Sequence, residues 1–214
     1  MRRRMAATRM TRPEVARDLD LLRRALDRPG EATSDFDLNP DLPLPAGHAL
    51  RPAGVLAAFT PGPAGLELIL TRRSAALRHH PGQIAFPGGK QDPGDATVID
   101  AALREAEEEV GLPRGAARIL GTLPPHRTVT GFHVTPVVGW VPAPFAELAE
   151  PDEVDEIFRV PFAFVTDPAN FRVEARSWNG TRRHYYVAPR GPWYIWGATA
   201  RMLRGLAERV ASCR

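Results

Sequence analysis

The sequence predicts an α/β (α+β) layered domain with a mixed β-sheet, and three observations carry that prediction. Short runs rich in Val, Ile, Leu and Phe recur along the chain, separated by Gly, Pro and Asn turns. Three segments, at 13–27, 97–110 and 193–210, have the apolar spacing and composition of helices. Strands interleaved with a few helices, in a chain of 214 residues, fit sheet and helix layers around one sizeable core.

Residues 13–27 read as a helix because Pro13 suits a first turn and Val15, Leu19, Leu22 and Leu26 recur at i, i+4, i+7 and i+11. Pro29-Gly30 ends it, and 31–52, rich in Pro and Asp, reads as an irregular connection. Residues 54–59 and 66–71 are strands flanking the turn TPGPAG, which makes a hairpin. A loop dense in glycine and proline follows, LRHHPGQIAFPGGKQDPGD at 77–95. The run 97–110 is a strong helix former closed by Gly111 and Pro113. Strands are expected at 118–123, 134–141 and 157–160, and a hairpin pairs 171–178 with 183–187 around Asn179-Gly180. The last expected element is a closing helix at 193–210. No internal repeat or low-complexity segment is present. Residues 1–50 are therefore read as tail, helix and connection, and 51–214 as the principal domain with its C-terminal helix.

Composition narrows the function classes. With 43% hydrophobic and 25% charged residues the chain belongs with soluble globular proteins. No apolar run approaches the roughly 18–20 residues a bilayer requires, so no membrane partner is expected. Lys90 is the one lysine behind a net charge of +3, and no basic cluster is interleaved with aromatics. That argues against a nucleic-acid groove. Cys213 stands alone, which excludes a disulfide framework and a cysteine-based zinc site. The start MRRRMAATRM lacks the apolar core of a secretory signal and reads as a disordered tail, with Met5 and Met10 as further start candidates. A cytoplasmic protein is expected.

The chemistry concentrates in ALREAEEEVGL. Glu105, Glu108 and Glu109 lie at i, i+3 and i+4, within about 100° of helix surface, so three carboxylates share a face. Like charges so spaced repel by a few tenths of a kcal/mol per pair. Alone, such a helix reads as a solvated acidic face with Arg104 offsetting Glu108. A Gly-Gly turn just upstream points instead to a cavity where backbone N–H groups approach phosphate and carboxylates hold hard cations.

At these residues the chain resembles a known family. Gly89, Asp95 and the run Arg104-Glu105-Ala106-Glu107-Glu108-Glu109-Val110-Gly111-Leu112 are similar to the Nudix box: Gly, five residues, Glu, seven residues, then Arg-Glu-apolar-any-Glu-Glu-any-Gly-apolar. The second half matches at every defined position. In the first half Asp95 replaces the glutamate, and eight residues rather than seven separate it from Arg104, whereas strict spacing selects Ala96. Upstream, Leu70-Thr71-Arg72-Arg73-Ser74, Arg78, Gly82 and Phe86-Pro87-Gly88-Gly89 resemble the signature preceding the box in coenzyme A pyrophosphatases, a subfamily that also shifts the first half of the box. Weaker matches are Leu123-Pro124-Pro125 with Gly131-Phe132, the run 135–139, and 195–200, so the resemblance spans roughly residues 54–203.

The resemblance implies an α/β/α sandwich that uses Mg²⁺ or Mn²⁺ to hydrolyse a nucleoside diphosphate linked to another group. It implies a catalytic set of Glu105, Glu108, Glu109 and Arg104. Glu105 and Glu109 are the first metal ligands, Glu108 a third, and Arg104 orients a neighbouring glutamate. The proton acceptor is one of these glutamates or an acid on a later loop; Glu153 in PDEVDE is read first as a surface acid, with the base as its alternative role. Gly88 and Gly89 let backbone approach phosphate. For coenzyme A, cleavage yields 4′-phosphopantetheine and adenosine 3′,5′-bisphosphate, and Arg73 and Arg78 are candidates for the 3′-phosphate, a structural ion pair being the equal alternative. His79, His80, His126 and His133 have no metal-site spacing, and Trp193 is left open as a stacking residue. The partner is a small molecule, and the protein a monomer or homodimer. Alternative readings are a Nudix enzyme for ADP-ribose, NADH or oxidised nucleotides, and a non-catalytic Nudix-fold binding module.

Overall fold

The computed structural model describes residues 13–41, 49–77, 79–178 and 180–214. The Arg-rich start, Arg78 and Asn179 lie outside the described residues. Helix α1 (Pro13–Leu26) turns Val15, Leu19 and Leu22 inward, as their spacing requires. Short strand β1 (Thr33–Ser34) is followed by the hairpin of β2 (Arg51–Gly62) and β3 (Gly65–Arg73), then by β4 (Ile84–Ala85) and β5 (Gly88–Lys90). Helix α2 (Val98–Val110) leads to β6 (Arg118–Thr122), β7 (His126–Arg127), β8 (Phe132–Trp140) and β9 (Val154–Pro161). The chain closes with α3 (Phe162–Val165), β10 (Arg172–Trp178), β11 (Thr181–Arg190), β12 (Trp193–Trp196) and α4 (Gly197–Ala211).

Among the described residues nine strands form one mixed sheet, ordered β1-β7-β8-β2-β3-β4, with β5 beside β2, β6 beside β8 and β9 beside β3. Strands β2 and β8 are parallel, and β2 and β3 antiparallel. Alternation along a strand splits the core in two. Leu56, Ala58, Ile69, Val137 and Val141 meet α2 on one face. Phe59, Leu66, Leu68 and Leu70 meet α1 and α4 on the other. The result is an α/β/α sandwich, with a second sheet, β10-β11-β12, against α4. No helix among the described residues is long and apolar enough to cross a membrane.

Three local expectations are corrected. The connection 31–52 is not wholly irregular: β1 pairs parallel to β7, and β2 begins at Arg51. Buried His126 anchors it, with Thr33 Oγ1 2.8 Å from Nδ1 and Asp35 Oδ1 3.1 Å from Nε2. The closing helix starts later than the apolar pattern indicated, because residues 193–196 pair with β11 as an extended strand. A short apolar run carries no period long enough to separate the two states. The glycine-rich loop contains β4 and β5, paired with β3 and β2.

The N-terminal helix is bound into the sandwich core. Nearly buried Asp18 accepts the Leu66 N–H at 3.0 Å, and Arg209 donates to the carbonyls of Ala25 and Leu26 that the helix end leaves unpaired.

Candidate active site

Helix α2 starts at a capping box, in which Thr97 Oγ1 accepts the Asp100 N–H at 3.2 Å and Asp100 Oδ2 accepts the Thr97 N–H at 2.9 Å. Gly111, at φ 72°, ends it. Its periodicity sends Ala102, Ala106 and Val110 into the core, and Glu109, next to Val110, goes with them. Only 3% of Glu109 is exposed. Glu105 lies one turn earlier with its side chain 16% exposed, whereas the Glu108 side chain is 56% exposed and pairs with Arg104 at 2.9 Å.

The Gly-Gly pair is what lets this helix approach the sheet. Gly88 and Gly89 pair with Val55 and Gly54 of β2, and the Gly88 N–H donates to Glu109 Oε2 at 3.0 Å. Gly88 sits at φ 149°, and a Cβ there would collide with the backbone of Gly54 and Val55. A Cβ on Gly89 would strike the Glu105 carboxylate. Gly89 therefore makes room for the Glu105 carboxylate, and Gly88 for the close approach of β2.

A third carboxylate arrives from a distant loop. The Leu148 and Glu150 N–H groups donate to the carbonyls of Val110 and Glu109, both at 3.1 Å, and the Ser74 N–H donates to the Glu153 carbonyl at 2.8 Å. Fastened at both places, the loop brings Glu153 to Glu105 and Glu109, and one oxygen from each lies within 4.8 Å of the others. Glu108, expected as the third ligand, is outside this group. Three hard oxygen donors at one point suit Mg²⁺ or Mn²⁺, which favour carboxylates. The structure thus supplies a donor set that fits the ion, with Glu153 inside it and Glu108, which the resemblance implied as a third ligand, outside it.

The group is electrostatically tense. Burial pushes Glu109 up to about 7, with Glu105 and Glu153 adding to the rise and the Gly88 N–H and Arg73 opposing it. Burial also raises Glu105, against the pull of Arg104. Arg73 Nη1 lies 3.6 Å from Glu109 Oε1. A register shift between β3 and β9 falls between Arg72 and Arg73, a position at which such irregularities re-aim side chains. Arg72 turns the other way, to Glu156 at 3.4 Å.

Asp95 has a definite place. Arg104 donates from Nε to Asp95 Oδ1 at 3.1 Å and from Nη2 to Oδ2 at 3.0 Å, while Nη1 reaches Glu105 at 3.1 Å. The Arg104 hydrogen bond holds Asp95 below the usual carboxylate range, and in return Asp95 raises Arg104. The displaced acid of the box is a clasp on the arginine that touches Glu105.

The remaining expected residues scatter. Arg78 is outside the described residues. Trp193 stacks on Phe158 with ring centroids 4.3 Å apart and donates Nε1 to Glu156 at 3.2 Å, so one face of its ring is covered. His80 adopts a left-handed φ of 56°, and burial lowers its proton affinity. A cavity of about 700 Å³ between α4 and the segment after α1 touches none of the three carboxylates. Glu153, read from the sequence first as a surface acid, joins the carboxylate group; its one sequence signal is its position just ahead of β9, which pairs with the strand carrying Arg73.

Comparison with known proteins gives one consistent picture. Residues 50–179 match the NUDIX domain family. The chain is 42% identical over 180 residues to an uncharacterized Nudix hydrolase NudL of Klebsiella pneumoniae, covering 79% of this chain and 89% of that one. It is 43% identical over 143 residues to the protein of the same description in Escherichia coli O1:K1, covering 67% and 74%. Among solved structures, a MutT/nudix family protein from Enterococcus faecalis overlaps 80% of this chain and 66% of its own, at 16% identity and a TM-score of 0.48.

Proposed function

The chain belongs to the Nudix family and is a hydrolase of pyrophosphate bonds, and on that premise we propose that its substrate is coenzyme A or a close derivative, cleaved to 4′-phosphopantetheine and adenosine 3′,5′-bisphosphate. The observation that carries the substrate is the run from Leu70 to Gly89, which agrees at every defined position with the coenzyme A pyrophosphatase signature. The observation that supports the chemistry is the meeting of Glu105, Glu109 and Glu153 beside that run.

Glu105, Glu109 and Glu153 would hold the divalent ion. Bound there, Mg²⁺ or Mn²⁺ supplies neutralisation of phosphate charge and a water of lowered pKa. The chain's own residues prepare the rest. Gly88 orients Glu109 through its N–H, and Arg104, held by Asp95, orients Glu105. We assign to Glu153, the exposed member of the group, acceptance of the attacking water's proton at its carboxylate and its release to solvent.

The test is a panel with Mg²⁺ or Mn²⁺ containing coenzyme A, its acyl and oxidised forms, NADH, ADP-ribose and 8-oxo-dGTP. Coenzyme A or its derivatives should give the highest kcat/KM. A higher value for NADH, ADP-ribose or the oxidised nucleotide would overturn the substrate and leave the pyrophosphatase chemistry intact.

A further inference from the structure

Coenzyme A carries a phosphate on its ribose in addition to the pyrophosphate, and this anion needs a receptor of its own. Arg73 is occupied with Glu109. The receptor is therefore to be sought among cations without a partner.

Among the described residues two buried side-chain polar atoms lack a hydrogen-bond partner, and both are arginine Nε atoms, of Arg127 and Arg183. Neither side chain forms an ion pair with a described residue, whereas Arg104, Arg201, Arg204 and Arg209, partly buried as well, each meet a carboxylate or a carbonyl. Leaving a buried donor unpaired costs about 1–3 kcal/mol. Such a donor in a native protein calls for an explanation, and an absent ligand is one.

The two arginines flank one turn. Arg127 pairs with Ser34, and its carbonyl accepts the Asp35 N–H at 3.0 Å. At the other end of the turn Asn39 bonds both backbone groups of His184, the neighbour of Arg183, at 2.7 and 2.8 Å. Asn39 Nδ2 also donates to the Asp35 carbonyl at 3.0 Å, which ties the two ends together. The Arg127 guanidinium lies 5.6 Å from the centre of the Phe36 ring, an arrangement that orients the plane and leaves its edge for an anion. Arg183 is directly opposite Arg176 across the β10–β11 pair. Like charges so placed repel unless an anion lies between them.

The position suits a nucleotide. Arg127 pairs with His133, His133 with Pro52, and the Pro52 carbonyl accepts the N–H of Gln91, two residues past Gly89. Three strand spacings of ~4.8 Å put the Arg127 backbone about 14 Å from the end of the glycine loop, on the same edge of the sheet.

We propose that Arg127, with Arg183 across the turn 35–39, receives the phosphate borne by the ribose of the nucleotide half and so sets the preference for a 3′-phosphorylated substrate. The inference rests on the coenzyme A reading but is measured without catalysis. Isothermal titration of the metal-free protein with adenosine 3′,5′-bisphosphate, adenosine 5′-monophosphate and inorganic phosphate should show the bisphosphate binding at least tenfold tighter than either of the others. That advantage should fall at least fivefold in Arg127→Met and in Arg183→Met, and recover in part in the corresponding Lys variants, with near-UV circular dichroism confirming each fold. Wild-type protein that does not favour the bisphosphate, or inorganic phosphate binding equally well, would overturn the inference, as would Met variants that keep the full advantage. If coenzyme A is hydrolysed and the Met variants keep the advantage, this assignment falls and the substrate reading stands. If coenzyme A is not hydrolysed and the advantage still depends on these arginines, the substrate reading falls and the phosphate site stands.

Discussion

Glu109 shows at residue scale how a functional group is held against its own preference. Burial raises its pKa from 4.5 to about 7, so the folded, metal-free protein binds that proton more tightly than the unfolded chain does. By linkage the group favours folding at low pH, and the benefit disappears as pH rises through about 7. At pH 8 the ionised Glu109 therefore costs the metal-free protein on the order of 3 kcal/mol, since one pKa unit corresponds to about 1.4 kcal/mol. Glu109→Gln should be more stable than wild type in EDTA at pH 8 by urea unfolding, should lose most of that advantage at pH 5, and should lose turnover by orders of magnitude. Equal stability at both pH values would count against this account. Glu105 and Glu109 were legible in the sequence because helical spacing defines a face. Glu108 shares the face in projection, but Arg104 draws it outward. The place of Glu153 beside them was illegible, because it depends on hydrogen bonds from its loop to residues 109, 110 and 74.

At the scale of elements, α2 and its approach loop act as one unit. The Asp95–Arg104 clasp joins the loop to the middle of the helix, and Lys90 adds its carbonyl to the Arg104 Nη2 at 3.2 Å. Because Asp95 titrates below the ordinary 3.8, its contribution is complete above about pH 4 and is lost as pH falls through the depressed pKa. Asp95→Asn should lower Tm at pH 7, and the difference from wild type should shrink as pH falls through the depressed pKa, where wild-type Asp95 becomes protonated as well. A gap independent of pH would mean that the clasp is not electrostatic. The helix was legible to within a residue, because a capping box at Thr97 and a glycine at 111 are local signals. Strand β12 was not, since Trp193–Trp196 is extended only by virtue of its partner β11.

Across the whole molecule, the N-terminal helix is part of the core that supports the site. Val15, Leu19 and Leu22 pack in the cluster that contains Leu66, Leu68 and Leu70, and β3 continues from there to Arg73 and the carboxylates. Leu22 is fully buried, so Leu22→Ala should cost about 3 kcal/mol in urea unfolding, within the 2–5 kcal/mol of large-to-small core substitutions. A change near zero would count against a supporting role for this helix. The sequence by itself determined the layered α/β class, the hairpin, the carboxylate-bearing helix and the family, because each rests on periodicity, caps or a contiguous motif. Only the tertiary structure decided that Glu153 completes the carboxylate group, that Asp95 bonds Arg104, and that the strands carrying Arg127 and Arg183 lie at the two ends of one turn. Those relations join residues 9 to 56 positions apart, and no local propensity specifies which distant strand or loop a side chain will face.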